Sequence, residues 1–271
     1  MADDIAPVLI DQREDGRVWV ITMNRPQRAN ALGGGMRAAL LTAFTRFRDD
    51  PVARVAILTG AGDKAFCAGL DLKETAAGNA AGAGAAGDPA RRSARGDLFP
   101  LAEGLELWKP VIAAINGYAV AGGFALAMQC DIRIMAEHAR AGIAEARWNM
   151  GGAGWMAPLT RQMTLGAAIE LALWADTQYT AQRCYEIGWA QRVVPASALM
   201  PTALEYASRM LTMAPRAVRN IKQMLYRGAY LEPMEAFRVG AWLEQNLAGM
   251  DDSVEGPRAF AEKRDPEFTD T

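Results

Sequence analysis

The stretch Asn116-Gly117-Tyr118-Ala119-Val120-Ala121-Gly122-Gly123-Phe124-Ala125-Leu126-Ala127 follows an apolar run, Val111 to Ile115, and passes through glycines into an Ala/Leu/Met series. The run reads as a buried strand and the series as a helix. The turn between them exposes backbone N–H groups at a helix start, where the dipole adds partial positive charge. Such a turn can hold a negative oxygen without any charged side chain. Upstream, Val55-Ala56-Ile57-Leu58-Thr59-Gly60 reads as another buried strand, and Ala65-Phe66-Cys67-Ala68-Gly69-Leu70-Asp71-Leu72 as a second turn of the same kind. Glycines at either turn could serve tight packing alone. Two donor turns in one chain point to a paired site.

Working outward, Val8-Leu9-Ile10 and Val18 to Met23 flank Asp15-Gly16 and predict a β-hairpin. Met36, Leu40, Ala43, Phe44 and Phe47 recur at helical spacing and predict a helix over 36–47, with Arg37 and Arg48 toward solvent. Strands are expected at 55–58, 111–115 and 132–135, with helices opening near Leu70 and Gly122; this alternation argues α/β layering. Residues 76–96, rich in Gly and Ala and ending in Arg91-Arg92-Ser93-Ala94-Arg95, cannot bury much apolar area. A mobile loop is expected there, either a flap over a site or a tolerated surface insertion. From Ala168 onward the pattern is helical, with main segments at 181–187, 199–213, 215–226 and 231–246.

A chain of 271 residues with 51% hydrophobic content can bury one large core, or one core plus a helical appendage. Its net charge of −2 gives no global attraction for nucleic acid or an anionic membrane, so neither is expected as a partner. The three cysteines, Cys67, Cys130 and Cys184, fit reduced cytosolic thiols better than a disulfide framework, and no Cys/His cluster supports a metal. The acidic N-terminus lacks the flanks of a signal peptide, and no run approaches the ~20 apolar residues of a membrane span. A soluble, cytoplasmic protein is expected.

Taken in order, Phe66-Cys67-Ala68-Gly69-Leu70-Asp71-Leu72, Lys109 to Ala119 with Gly122-Gly123, and Cys130-Asp131-Ile132-Arg133-Ile134 resemble the crotonase family of acyl-CoA enzymes. Asn24-Arg25-Pro26 and Asn30-Ala31-Leu32 open the resemblance; Gly188 to Pro195 and Ala259 to Arg264 continue it. It implies an α/β fold with a spiral of β-β-α units in an acyl-CoA-binding core, residues 1–195. A C-terminal α-helical region, 196–271, would then assemble a homotrimer or homohexamer.

Enolising an acyl thioester requires hydrogen-bond donors on the carbonyl oxygen as charge grows there. The resemblance assigns these to the backbone amides of Leu70 and Gly122, and the proton acceptor to Glu145. A base working near neutral pH should be partly desolvated, which raises its pKa. Hydratases of the family carry a second glutamate where this chain has Ala125, and a methyl group can neither accept a proton nor orient water. One retained glutamate suits a double-bond isomerase, which moves a proton between two carbons of a dienolate. A hydratase with altered water positioning, or a specialised lyase or decarboxylase, remains an alternative, with Glu74, Arg147 and Asn149 as polar neighbours of the lost group.

Coenzyme A would arrive as part of the substrate, with no separate cofactor. The resemblance sets its adenine near backbone groups of Ala29, Ala31 and Ala68, a phosphate near Arg28, and Phe260 and Lys263 at a site completed by a neighbouring subunit. Trp148 to Trp155 either wall the acyl pocket or pack in the core. Asp71 and Asp131 read as structural hydrogen-bonding groups, and His138 as exposed. A catalytically degenerate binding protein would need a basic face, for which Arg37, Arg46 and Arg48 on one helix are the local support.

Overall fold

The computed structural model describes residues 6–80, 101–150, 152–176 and 178–271. Strands β1 (Val8–Arg13) and β2 (Val18–Met23) form the expected antiparallel hairpin. Its turn takes positive φ at Glu14, Asp15 and Gly16, so the strands reverse without splaying. β2 is buried along nearly its whole length, whereas β1 is largely exposed and forms the sheet edge.

Next to β2 lie β3 (Val55–Gly60), β5 (Val111–Ile115), β7 (Ile132–Ala136) and β10 (Arg192–Val194), all parallel, completing a six-stranded sheet in the order β1-β2-β3-β5-β7-β10. Continuous Val/Ile/Leu/Ala runs make such strands because both faces are covered. Helix α1 (Met36–Asp49) packs against β1 and β2 through Met36, Leu40, Phe44 and Phe47. α1 ends two residues past the expected Phe47, its last turn carrying Arg46 and Arg48 toward the negative end of the helix dipole.

A second sheet of short strands has the order β4 (Ala65–Cys67), β6 (Tyr118–Val120), β8 (Arg140–Gly142), β9 (Tyr179–Thr180). Periodicity gave no sign of it, because strands of two or three residues are too short to show a period. Each of β3, β5 and β7 thus runs into a short strand of the second sheet. β4 leads to α2 (Leu72–Ala80) and β6 to α4 (Gly122–Met128). A further one-turn helix α3 (Leu101–Gly104) precedes β5. The expected loop at 76–96 differs in its first part, since 76–80 complete α2; from residue 81 it lies outside the described residues.

Two asparagines stitch the sheets together. Asn116 donates from Nδ2 to the Gly60 and Gly62 carbonyls at 2.8 and 2.7 Å and accepts from the Gly60 N–H at 3.1 Å. Fully buried Asn30 donates to the Ala65 and Ala61 carbonyls at 2.8 and 3.0 Å and accepts from Arg25 N–H at 3.0 Å. Side-chain amides satisfied on both ends, the buried one of Asn30 and the half-buried one of Asn116, fix the crossing from one sheet to the next.

The rest of the chain is helical: α5 (Ala153–Met156), α6 (Leu159–Gln162), α7 (Leu165–Leu173), α8 (Ala181–Glu186), α9 (Leu199–Leu211), α10 (Pro215–Gly228), α11 (Pro233–Glu244) and α12 (Asp251–Glu262). α9 lies against β3, β5 and β7, with Leu199, Ala203 and Ala207 buried. Asp131 anchors α10: its carboxylate accepts from Val111 N–H at 2.7 Å, pairs with Lys222 Nζ at 2.8 Å, and accepts from the Tyr226 hydroxyl at 2.9 Å. Ile221, Leu225, Phe237, Trp242 and Phe260 stand exposed on α10, α11 and α12. Among the described residues no helix is long and apolar enough to cross a membrane.

Candidate active site

Gly69 and Gly122 bring the two donor turns into contact. Gly69 has φ +83°, and a Cβ there would stand 2.8 Å from the Gly122 nitrogen and 2.9 Å from the Val120 carbonyl oxygen. At Gly123 a Cβ would overlap the Cys67 carbonyl. Only residues without side chains let these turns abut. Leu70 and Gly122 therefore meet at one cavity, whose wall both residues line. Gly122 is the first residue of α4, so its N–H has no acceptor within the helix. Among the described residues no backbone carbonyl accepts from the Leu70 N–H.

Asp71 holds the first turn in place. Its Oδ1 accepts from Glu74 N–H at 3.2 Å, at the start of α2, and its Oδ2 lies 3.5 Å from Arg25 Nη2. Burial pushes the Asp71 carboxyl up, but the Glu74 amide, Arg28 and Arg25 outweigh this and hold it below its ordinary value. Asp71 and Asp131 thus act as structural hydrogen-bonding groups, as expected.

The cavity has a volume of about 290 Å³. Its walls are mainly apolar, from Leu32, Leu72, Val120, Met150, Trp148 and Trp155, so the two indoles do border it. Glu145 also lines it, at 8% exposure, as the N-cap of the one-turn helix Ala146–Trp148 that follows β8. Its Oε2 accepts from the Ala144 N–H at 3.0 Å. Burial raises the Glu145 pKa, opposed by the amides of Glu145 itself and Ala144. A partly desolvated carboxylate on the wall of a cavity that Leu70 and Gly122 also line is a group that can take a proton from a bound carbon acid.

Ala125 lines the same cavity and is buried at 1% exposure, so no carboxylate faces Glu145 from that position. The polar neighbours considered as substitutes are engaged elsewhere or lie off the cavity wall. Glu74 pairs with Arg25 at 2.8 Å and accepts from Gly34 N–H, Arg147 lies 3.4 Å from Asp176, and Asn149 is the left-handed cap of the one-turn helix.

The sequence reading missed Arg37. Expected to face solvent, it is half-buried and lines the cavity. Helical periodicity sorts residues into core and non-core faces, and a cavity wall belongs to neither. The helix has no bare basic face either: Arg46 stacks over the Trp19 ring at 5.7 Å, and Arg48 pairs with Asp49 at 2.6 Å.

Of the expected CoA-binding residues, Ala68 lines the cavity and its N–H donates to the Ala29 carbonyl at 3.0 Å, while the Ala31 carbonyl accepts from Arg25. Arg28 is exposed beside them. Phe260, 88% exposed, and Lys263 lie at the end of α12 and do not line the cavity. Exposed His138 bonds through Nε2 to the Asp63 and Asn116 carbonyls. Among the described residues no group of three His, Cys, Asp or Glu side chains could hold a metal ion.

Residues 13–271 match the family described as Enoyl-CoA hydratase/isomerase. The chain is 38% identical to enoyl-CoA hydratase EchA19 of Mycobacterium tuberculosis, over 96% of this chain and 95% of that one. It is 37% identical to carnitinyl-CoA dehydratase of Salmonella enteritidis, covering 93% and 95% respectively. A solved enoyl-CoA hydratase from Bacillus anthracis superposes with a TM-score of 0.87 at 34% identity, over 98% of this chain and all of that one. With two glycine turns abutting at an apolar cavity, a buried glutamate on its wall, and likeness to these proteins from end to end, the chain belongs to the enoyl-CoA hydratase/isomerase family of acyl-CoA enzymes and has the crotonase fold.

Proposed function

We propose that this enzyme isomerises enoyl-CoA thioesters through an enolate, with Glu145 as its single acid/base. The amides of Leu70 and Gly122 donate to the thioester oxygen, and Glu145 removes a proton from C2 of a 3-enoyl thioester. The electron pair delocalises into a dienolate stabilised by the two amides. Glu145 then returns the proton to C4, leaving the 2-enoyl product. The observation that carries this reading is buried Ala125, which leaves Glu145 the one carboxylate lining the cavity among the described residues. A shuttle needs one base; adding water across a double bond is served by two.

Hydration or dehydration is the second reading, favoured by relatives named as a hydratase and a dehydratase. Incubation with 3-hexenoyl-CoA and, separately, 2-hexenoyl-CoA in D₂O, followed by mass spectrometry, separates the two. Conversion of the 3-enoyl to the 2-enoyl thioester, lost in Glu145→Gln, supports the shuttle. Rapid gain of water by the 2-enoyl thioester sinks it.

Coenzyme A is proposed to bind at Arg28 and the backbone of Ala29, Ala31 and Ala68, with no further cofactor. The exposed apolar side chains of α10 to α12 support a homotrimer or homohexamer built on residues 196–271. That Phe260 and Lys263 do not line the cavity supports their serving a neighbouring protomer's CoA. Sedimentation of the purified protein tests the assembly.

A further inference from the structure

Part of the cavity wall is aromatic. Trp148 and Trp155 both line the cavity, and Met150, between them in the chain, lines it too. Trp148 is 59% exposed, so core packing does not account for it. The Arg147 guanidinium lies over its ring at 5.9 Å and pairs with Asp176 at 3.4 Å. Trp155 is held from behind by a column of rings. Phe124 meets it at 6.4 Å and 44°, and lies flat on Trp189 at 4.5 Å and 8°, with the Arg133 guanidinium 5.2 Å from the Trp189 ring. Phe124 and Trp189 are fully buried, so the column leaves this indole little freedom and fixes it before any ligand arrives.

The fixed indole adjoins the base. A Cβ on Gly152 would stand 3.3 Å from Trp155 Nε1 and 3.1 Å from Glu145 Cγ, so the two side chains border one point. A group resting on this indole therefore lies close to the reacting carbons and belongs to a short acyl chain. Any apolar wall serves an alkyl chain, and leucine would suffice. An indole face adds a quadrupole that a flat ring matches, and a methionine sulfur favours a ring edge. Alanine at residue 125, on the same wall, leaves the cavity wider than a longer side chain would.

We infer that the preferred substrate is the CoA thioester of a short-chain acid bearing an aromatic ring, with the ring against Trp155 and Trp148 and the thioester end at Leu70, Gly122 and Glu145. This rests on the acyl-CoA reading of the cavity but not on which reaction follows. Trp155 and Trp148 are then specificity-determining residues, Trp155 the principal one because its ring is the better fixed.

The test is equilibrium binding of phenylacetyl-, 3-phenylpropanoyl- and 4-phenylbutanoyl-CoA, each against its cyclohexyl counterpart, using the full chain and no turnover. Cyclohexyl is the bulkier and more apolar ring, so burial alone favours it, and a preference for phenyl reports the aromatic contact. At least one phenyl thioester is expected to bind roughly threefold to tenfold tighter than its cyclohexyl counterpart, the range of an aromatic pair. Trp155→Leu should bring that ratio to one or below, and Trp155→Phe, which keeps a ring, should retain part of it. Equal or weaker binding of all three phenyl thioesters, or a preference that survives Trp155→Leu, overturns the inference and leaves the acyl-CoA reading intact. Failure of both series to bind overturns both. If Trp155→Leu does not fold, the wild-type ratio and exposed Trp148→Leu, which should lower it, still decide.

Discussion

Replacing Gly69 by alanine tests whether contact between the two turns creates the donor pair. The new Cβ would stand 2.8 Å from the Gly122 nitrogen, 2.9 Å from the Ala121 Cβ and 2.9 Å from the Val120 oxygen. Each is roughly half an ångström or more short of an ordinary non-bonded separation. Two of the three neighbours are backbone atoms, so relief must come from movement of a turn. The residue also sits at φ +83°, which costs alanine about 1 kcal/mol, and overpacking adds about 1–3 kcal/mol more. A total loss of about 2–4 kcal/mol is expected, read as a fall in melting temperature. Because the group pushed away is the Gly122 amide, kcat should fall further than stability does. A misplacement approaching 1 Å at a reacting centre costs on the order of a hundredfold. Steady-state kinetics at a temperature where the variant remains folded would show kcat reduced and KM little changed. Unchanged kcat with an unchanged melting temperature would refute the claim that this contact spaces the donors.

Further expectations follow from the same geometry. Glu145 must be ionised to accept a proton and its pKa is raised by burial, so kcat/KM should rise with pH through a limb above the ordinary carboxylate value. A pH profile with no such limb would remove Glu145 as the base. Ala121 holds φ 55° and ψ −124°, a strained conformation for a residue with a Cβ; Ala121→Gly should raise stability by about 1 kcal/mol in denaturant unfolding, and a loss would contradict the strain. Lys222→Met leaves Asp131 without its 2.8 Å ion pair where α10 meets β5, and should cost about 3 kcal/mol. The Glu255 carboxyl, held down to about 2 mainly by Arg264, stabilises the fold above the ordinary carboxylate value and loses that contribution as pH falls toward 2. Acid unfolding of Glu255→Gln should therefore show a weaker pH dependence over that window.

Much of this was legible along the chain because the signals are local. The strand at 111–115 and the helix beginning at Met36 need only their own apolar spacing, and the glycine turns need only the order strand, glycine, helix. The short strands β4, β6, β8 and β9 were not legible: two or three residues carry no period, and they form by pairing with one another across long stretches of chain.

The sequence by itself settled the family, the place of the two glycine turns, and the presence of alanine at residue 125, since each depends on residue type and order. Only the tertiary structure decided that Gly69 touches Gly122, that Ala125 and Glu145 line one cavity, and that Arg37 joins them. The physical reason is that helical spacing places Arg37 off the core face of α1 but cannot say what stands opposite. Here it is a cavity bordered by turns that lie thirty to over a hundred residues away in the chain.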